Sequence, residues 1–389
     1  MSSFGFLAMR LIGFVVPIRS RSGISTPVDF GFRISRPWRG IGLLVLLIVC
    51  AAQAPGCGRR PRHIAASWEG QTMGSVYRIT ITRADLDDAV LERVRTDVDA
   101  GLREVNRQMS HYQPDSEISQ FNAAAAGVPF LVSPDFARVT RFALELWEKS
   151  GGLFDPTLGP LVDLWGFGSS GRHGEPPSDE SVAAARRRCG AQHLRVTAHG
   201  ELVKDVSDLQ LNLSAVAKGF GVDVAAGVLR DYGIEHYLVE IGGEIVARGR
   251  NSGGMPWRVG IESPLVTGDF GTALDCVVGL KDRALATSGN YREFFTDAEG
   301  RRFSHILNPA TGAPIPYAPL GVSVLADSCL VADGLATTLF VLGPEAGRRW
   351  IEHTYPDAAA LFLEATPAGG VRRLPTAGFP SVEEVPLTQ

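Results

Sequence analysis

The chain lacks the features that mark several common protein classes. It has only five cysteines; Cys50 and Cys57 lie near the N-terminus, while Cys189, Cys276 and Cys329 are scattered through the rest. No CxxC or Cys/His spacing links them, which excludes a zinc-ligand or redox motif and leaves small buried hydrophobes. No P-loop, no GxGxxG opening a helix after a strand, no GxSxG and no HExxH occurs. The usual nucleotide-fold, hydrolase and zinc-protease readings therefore fall away. A formal net charge of −4 leaves no basic excess, so nucleic acid is not an expected partner. Internal repeats and low-complexity tracts are missing too, which excludes a solenoid or an array.

What is present is ordinary for a globular chain with one busy site. Hydrophobic residues make up 45% and charged residues 21%, enough for a sizeable core. The 389 residues suit a leader plus one large domain or two intimate ones. Forty-four glycines point to tight turns and backbone-lined sites.

The N-terminus reads as an export leader. Arg33, Arg36 and Arg39 precede an apolar run over residues 41–52, short for a membrane span and right for a signal h-region. A second apolar stretch, residues 11–18, is interrupted by Pro17 and makes the leader long. Either an atypical leader or a misassigned start accounts for it. Ala54-Pro55-Gly56 before Cys57 resembles a lipoprotein cleavage site, but Pro55 departs from the pattern. Lipidation at Cys57 therefore ranks no higher than simple cleavage or an uncleaved anchor. The expected organisation is a leader and linker over residues 1–66 and one domain over 67–389. The expected location is the periplasmic face of the inner membrane.

Periodicity outlines the domain. Alternation through Tyr77, Ile79 and Ile81 predicts a strand over residues 68–82. Val90, Val94, Val98, Leu102, Val105 and Met109 form one apolar stripe of a helix over 85–109. Ser133-Pro134 is a natural helix start, and Gly151-Gly152 ends that helix. Residues 153–168 read as irregular and aromatic, 169–178 as a loop, and 179–189 as a short helix. A helix over 215–232 precedes strands at 237–241, 245–248, 257–262, 277–280, 303–307 and 322–326. Helices over 332–342 and 345–353 and a strand near 359–364 close the domain. Strands in runs, mixed with helices, define an α+β fold with largely antiparallel sheets.

Three late segments carry the chemistry. Asp333 and Thr337 are four residues apart, so a helix projects both from one face as hard oxygen ligands suited to magnesium. A capping aspartate with a packed threonine is the structural alternative. Lys218 stands near a helix start beside Gly219 and Gly221, where free N–H groups favour an anion and an ammonium adds a point charge for phosphate. A surface lysine is the alternative there. His305, on a strand before Asn308-Pro309, can accept a proton from a hydroxyl. It could equally be a hydrogen-bonded strand-end histidine. Gly242-Gly243 reads first as a strand connection and second as a place where backbone approaches a ligand. Met73, Tyr112, Phe154 and Asp155 are candidates to line a flat aromatic ligand.

In their order these pieces resemble the FAD:protein FMN transferases, the ApbE family. The matching residues are Met73-Gly74-Ser75, Met109-Ser110-His111-Tyr112, Phe154-Asp155-Pro156-Thr157, Trp165-Gly166-Phe167-Gly168, residues 213–223, Ala286-Thr287-Ser288-Gly289, 304–312 and 332–338. The resemblance implies a T-fold-related domain with FAD, as substrate, near Met73, Tyr112, Leu153, Phe154, Asp155, Asn212, Lys218 and Leu307. It implies Mg²⁺ held by the Ala215 carbonyl, Asp333 and Thr337, with His305 at the catalytic centre. The implied reaction moves FMN to a Thr or Ser hydroxyl of a redox-pump subunit or FMN-binding domain and releases AMP. Asn212 stands where the family often has aspartate, and Ala336 replaces a second carboxylate of some members. FAD hydrolysis to FMN and AMP, a non-catalytic FAD-binding protein and an exported scaffold with a degenerate site are the competing functions.

Overall fold

The computed structural model describes residues 64–83, 86–168, 171, 175–265, 273–291, 293–316 and 320–385. The expected leader through residue 63, with Cys57, and much of the loop at 169–178 lie outside the described residues.

An eight-stranded sheet forms the centre. In spatial order its strands are Ile64–Thr72, Ser75–Arg83, Tyr237–Ile241, Glu244–Arg248, Arg283–Gly289, Leu320–Ala326, Ala359–Ala365 and Val371–Pro375. Each neighbouring pair is antiparallel. Side chains alternate across a pleated strand, so one strand can serve two cores. Val246, Ala284, Ala286, Val322, Val324 and Phe362 enter the larger core with the helices. Their neighbours Ile245, Ala247, Leu285, Leu325 and Leu361 point the other way. There they meet a three-stranded sheet of Trp257–Glu262, Leu274–Leu280 and Val382–Glu384.

Seven α-helices are described. α1 is Asp88–Met109, α2 Glu117–Ala123, α3 Pro134–Lys149, α4 Gly159–Leu164, α5 Asp179–Arg186, α6 Ser214–Asp231 and α7 Cys329–Thr354. The predicted stripe of α1 is the face it buries, through Val94, Val98, Leu102, Val105 and Met109. α7 contains a break at Gly343-Pro344, which is why its sequence reads as two helices. A third, smaller core of Leu161, Trp165, Ala185, Phe295 and Leu307 lies under α4, α5 and the hairpin strands Phe294–Thr296 and Arg302–Asn308.

Three expectations change. The predicted strand at 68–82 is two strands joined by a two-residue turn, Met73-Gly74, with Thr72 paired to Ser75. Both turn residues have positive φ, 50° and 69°, as a tight hairpin requires. Alternation continues on each side of the turn, so the reversal is hidden in the pattern. Residues 64–66, read as linker, already pair with the second strand. Finally, Ser133 precedes α3 as expected, but its hydroxyl makes no capping bond, and its N–H is held by Glu117 at 2.9 Å instead.

Candidate active site

The site is built where α6 crosses α7. Gly219 makes this crossing close, because a Cβ there would lie 2.3 Å from the Cys329 carbonyl oxygen and 2.8 Å from Asp333 Cβ. The two helices hold each other reciprocally. Asp223 of α6 accepts from the N–H groups of Cys329 and Leu330, both at 2.9 Å, and so caps α7. Asp333 of α7 accepts from the Gly219 N–H at 2.9 Å. In a regular helix that N–H would bond the Ala215 carbonyl. Asp333 does not cap its own helix, since Ser328 does that.

Lys218, beside Gly219, donates to Glu244 at 2.7 Å. Glu244 follows the Gly242-Gly243 turn and is 2% exposed; Asp333 is 4% exposed. Burial works against the Lys218 charge, but Glu244 and then Asp333 outweigh it, and the ammonium stays above the ordinary lysine range. Burial pushes the Asp333 carboxyl well up, and Glu244 adds to this. One oxygen of Glu244, Oε2, has no hydrogen-bond partner. Thr337 is one turn beyond Asp333, its hydroxyl 3.2 Å from that of Ser288.

His305 faces the same space. Its backbone N–H and its ring Nδ1 each lie 3.2 Å from the Glu293 carbonyl. A carbonyl can only accept, so Nδ1 carries the proton and Nε2 keeps its lone pair. Burial lowers the His305 pKa, Glu293 works the other way, and Lys218 lowers it further. The ring of Phe167 meets it edge-on at 6.3 Å. The Glu293 charge acts on Lys218, His305 and Tyr112 alike.

The aromatic candidates are distributed around the start of α6. Tyr112 is 62% exposed and rests on the His111 ring at 4.1 Å, while His111 Nδ1 is 3.5 Å from the Ser214 hydroxyl. Met73 packs on α6 where Gly221 leaves room, since a Cβ there would lie 2.5 Å from Met73 Cε. Asn212 accepts from the Ser214 N–H at 2.9 Å and donates its own N–H to Pro156 at 2.8 Å. Phe154 is buried in the main core. The Asp155 carboxylate is committed to Thr157 and Ala191. That leaves Leu153 and backbone atoms of this stretch for a ligand. Leu307 is buried in the small third core two residues beyond His305.

The donors around Asp333 suit a hard cation. A carboxylate, a hydroxyl and a carbonyl are all oxygen ligands, and magnesium completes such a set with water and phosphate. Among the described residues no group of three His, Cys, Asp or Glu side chains could hold a metal. Glu244 and Glu293 were not singled out from the sequence, and Ser288 and Asp223 entered only as parts of longer matching segments. Glu244 carried a signal, a carboxylate just after Gly242-Gly243, but its pairing with Lys218 is a tertiary contact.

An ammonium, buried carboxylates, a hydroxyl and an imidazole near the α6–α7 crossing are groups that could handle a phosphate. The profile of the ApbE family matches residues 73–362. A Vibrio cholerae FAD:protein FMN transferase is 43% identical over 293 residues, covering 75% of this chain and 85% of the relative. One from Haemophilus influenzae is 37% identical over 305 residues, covering 77% and 87%. The solved structure of flavin transferase ApbE from Vibrio cholerae superposes with a TM-score of 0.73 at 39% identity, covering 82% of this chain and 98% of that one. The apo form of Pseudomonas stutzeri flavinyl transferase ApbE gives 0.71 at 37%, covering 81% and 95%. The chain belongs to the ApbE family.

Proposed function

We propose that this protein is an FAD:protein FMN transferase that moves FMN from FAD to a Thr or Ser hydroxyl of a target protein. The observation that carries the reading is the convergence of Lys218, Asp333 and His305 at the α6–α7 crossing, in a family whose relatives bear that name.

The acceptor oxygen attacks the FMN-side phosphorus of FAD. The bridging P–O bond breaks, AMP leaves, and the acceptor proton passes to His305 Nε2. The Glu293 carbonyl holds the single ring proton on Nδ1, and burial disfavours a second proton on Nε2. Lys218 would offset phosphate charge, and Met73 and Tyr112 would supply apolar and aromatic surface for flat rings. Asp333, Thr337 and the Ala215 carbonyl would hold Mg²⁺, which would supply charge neutralisation for a transition state that needs alignment more than covalent help. Tyr112 is a large exposed aromatic at the edge of the site, the kind of surface an incoming protein segment can cover.

The leader reading extends to location. We place the domain on the periplasmic face of the inner membrane, tethered by an uncleaved leader or lipid or released by cleavage. Its targets would be exported FMN-carrying domains or redox-pump subunits. Nucleotide analysis after incubation with FAD and Mg²⁺ tests the reaction. AMP should appear in proportion to acceptor domain modified; equal AMP release without acceptor would make the protein an FAD pyrophosphatase instead.

A further inference from the structure

The charges of the site do not by themselves favour a diphosphate. Lys218 is the cation on which the neighbouring carboxylates act, and its ammonium is already bonded to Glu244 Oε1 at 2.7 Å. Asp333 and Glu293 are its other charged neighbours. His305 adds no positive charge at neutral pH, because burial depresses its pKa. Among the described residues, Glu244 thus engages this ammonium directly, and Asp333 and Glu293 add to the negative side of the balance before any ligand arrives.

Glu244 is the unusual member. It is 2% exposed, yet Oε2 has no hydrogen-bond partner. A Cβ on Gly242 would lie 3.7 Å from that oxygen and 2.7 Å from Ser75 Oγ, so Oε2 sits at the hairpin end of the sheet, beside the Met73-Gly74 turn. A buried carboxylate oxygen left unpaired is costly and calls for an explanation such as an ion or ligand.

We propose that Glu244 makes binding of the dinucleotide conditional on a divalent cation. By holding Lys218 it withholds the ammonium from the diphosphate until a cation at the Asp333–Thr337 oxygens supplies the missing positive charge. This rests on the flavin-transfer reading, which provides the diphosphate. Coupling of this kind is reciprocal, so FAD also tightens the cation.

The test is equilibrium binding of FAD, followed by calorimetry or flavin fluorescence, in EDTA and in saturating MgCl₂. Wild type should bind FAD roughly 100-fold more tightly with Mg²⁺, toward the upper range of site-to-site coupling. Glu244→Gln removes one negative charge beside Lys218, so its affinity in EDTA should rise by roughly tenfold and the Mg²⁺ effect shrink accordingly. Glu244→Asp keeps the charge and should keep the Mg²⁺ requirement. Riboflavin, which has no phosphate, should bind wild type with or without Mg²⁺ alike, and this holds even if a variant does not fold. Equal FAD affinity of wild type in EDTA and Mg²⁺ overturns the proposal. So does a folded Glu244→Gln protein with unchanged or weaker binding in EDTA, or a riboflavin response as large as that of FAD. No FAD binding under either condition overturns the flavin-transfer reading itself.

Discussion

Adding one methyl group at Gly219 tests how the site is assembled. The new Cβ would stand 2.3 Å from the Cys329 carbonyl oxygen, 2.7 Å from its carbon and 2.8 Å from Asp333 Cβ. Ordinary carbon contacts begin near ~3.5 Å, so α6 must retreat from α7 by the better part of an ångström against rigid backbone. Alanine in a helix interior gains about 1 kcal/mol over glycine. Overpacking of a tight core typically costs about 1–3 kcal/mol. Two of the three contacts are with backbone, which puts the cost at the upper end and leaves a net loss of about 2 kcal/mol. At about 2–4 °C per kcal/mol in large domains, Tm should fall by about 4–8 °C. The retreat also draws the Gly219 N–H away from Asp333, so the extra stabilisation from Mg²⁺ with FAD should shrink. Thermal scans with and without those ligands read both effects. Gly227→Ala is the control on the same helix, because its Cβ meets only the end of the Arg230 side chain, at 3.7 Å. It should be neutral or stabilising by up to about 1 kcal/mol. If Gly219→Ala is as stable as Gly227→Ala, the close crossing described for α6 and α7 is wrong.

Other expectations concern the chemistry. His305→Ala should still bind FAD but transfer FMN about 10²–10⁴-fold more slowly, as loss of a general base commonly does; unchanged single-turnover transfer removes that role. Burial holds the His305 pKa below its usual value, so the base is free at neutral pH. The rate should be level around pH 7–8 and fall as acid protonates Nε2, with the limb lying below about 6.5. Glu293→Gln removes a charge that raises this pKa, so its acid limb should move to lower pH; a shift upward contradicts the geometry. Asp333→Ala should lose the response to Mg²⁺ together with most activity, and a wild-type Mg²⁺ titration curve rules out the ligand set.

Local patterns in the sequence were legible where one residue set decides one element. The α1 stripe, the Asp333–Thr337 spacing and the strands Tyr237–Ile241 and Trp257–Glu262 follow from periods of 3.6 and 2. The strand Arg283–Gly289 did not show, although it is central in the sheet. Its RALATSG sequence is small-residue rich, buried on both faces over Ala284–Ala286, and so has no alternation to read. The Met73-Gly74 reversal was hidden because the preferred asparagine or aspartate is replaced by methionine at a positive φ. At the site, Lys218, His305 and Asp333 were visible as residue types in suggestive places. Their partners Glu244 and Glu293 were not, because each is defined by contact with a residue remote or unpatterned in sequence. Asp223 is the clearest instance, since its carboxylate caps a helix that begins 106 residues later.

The most direct measurement is the intact mass of an FMN-acceptor domain after incubation with the leader-less protein, FAD and Mg²⁺. A gain equal to FMN less one water, absent when the acceptor Thr or Ser is replaced by alanine and strongly slowed with His305→Ala, is the predicted result. An acceptor of unchanged mass while FAD is consumed, or bound without being split, contradicts the account.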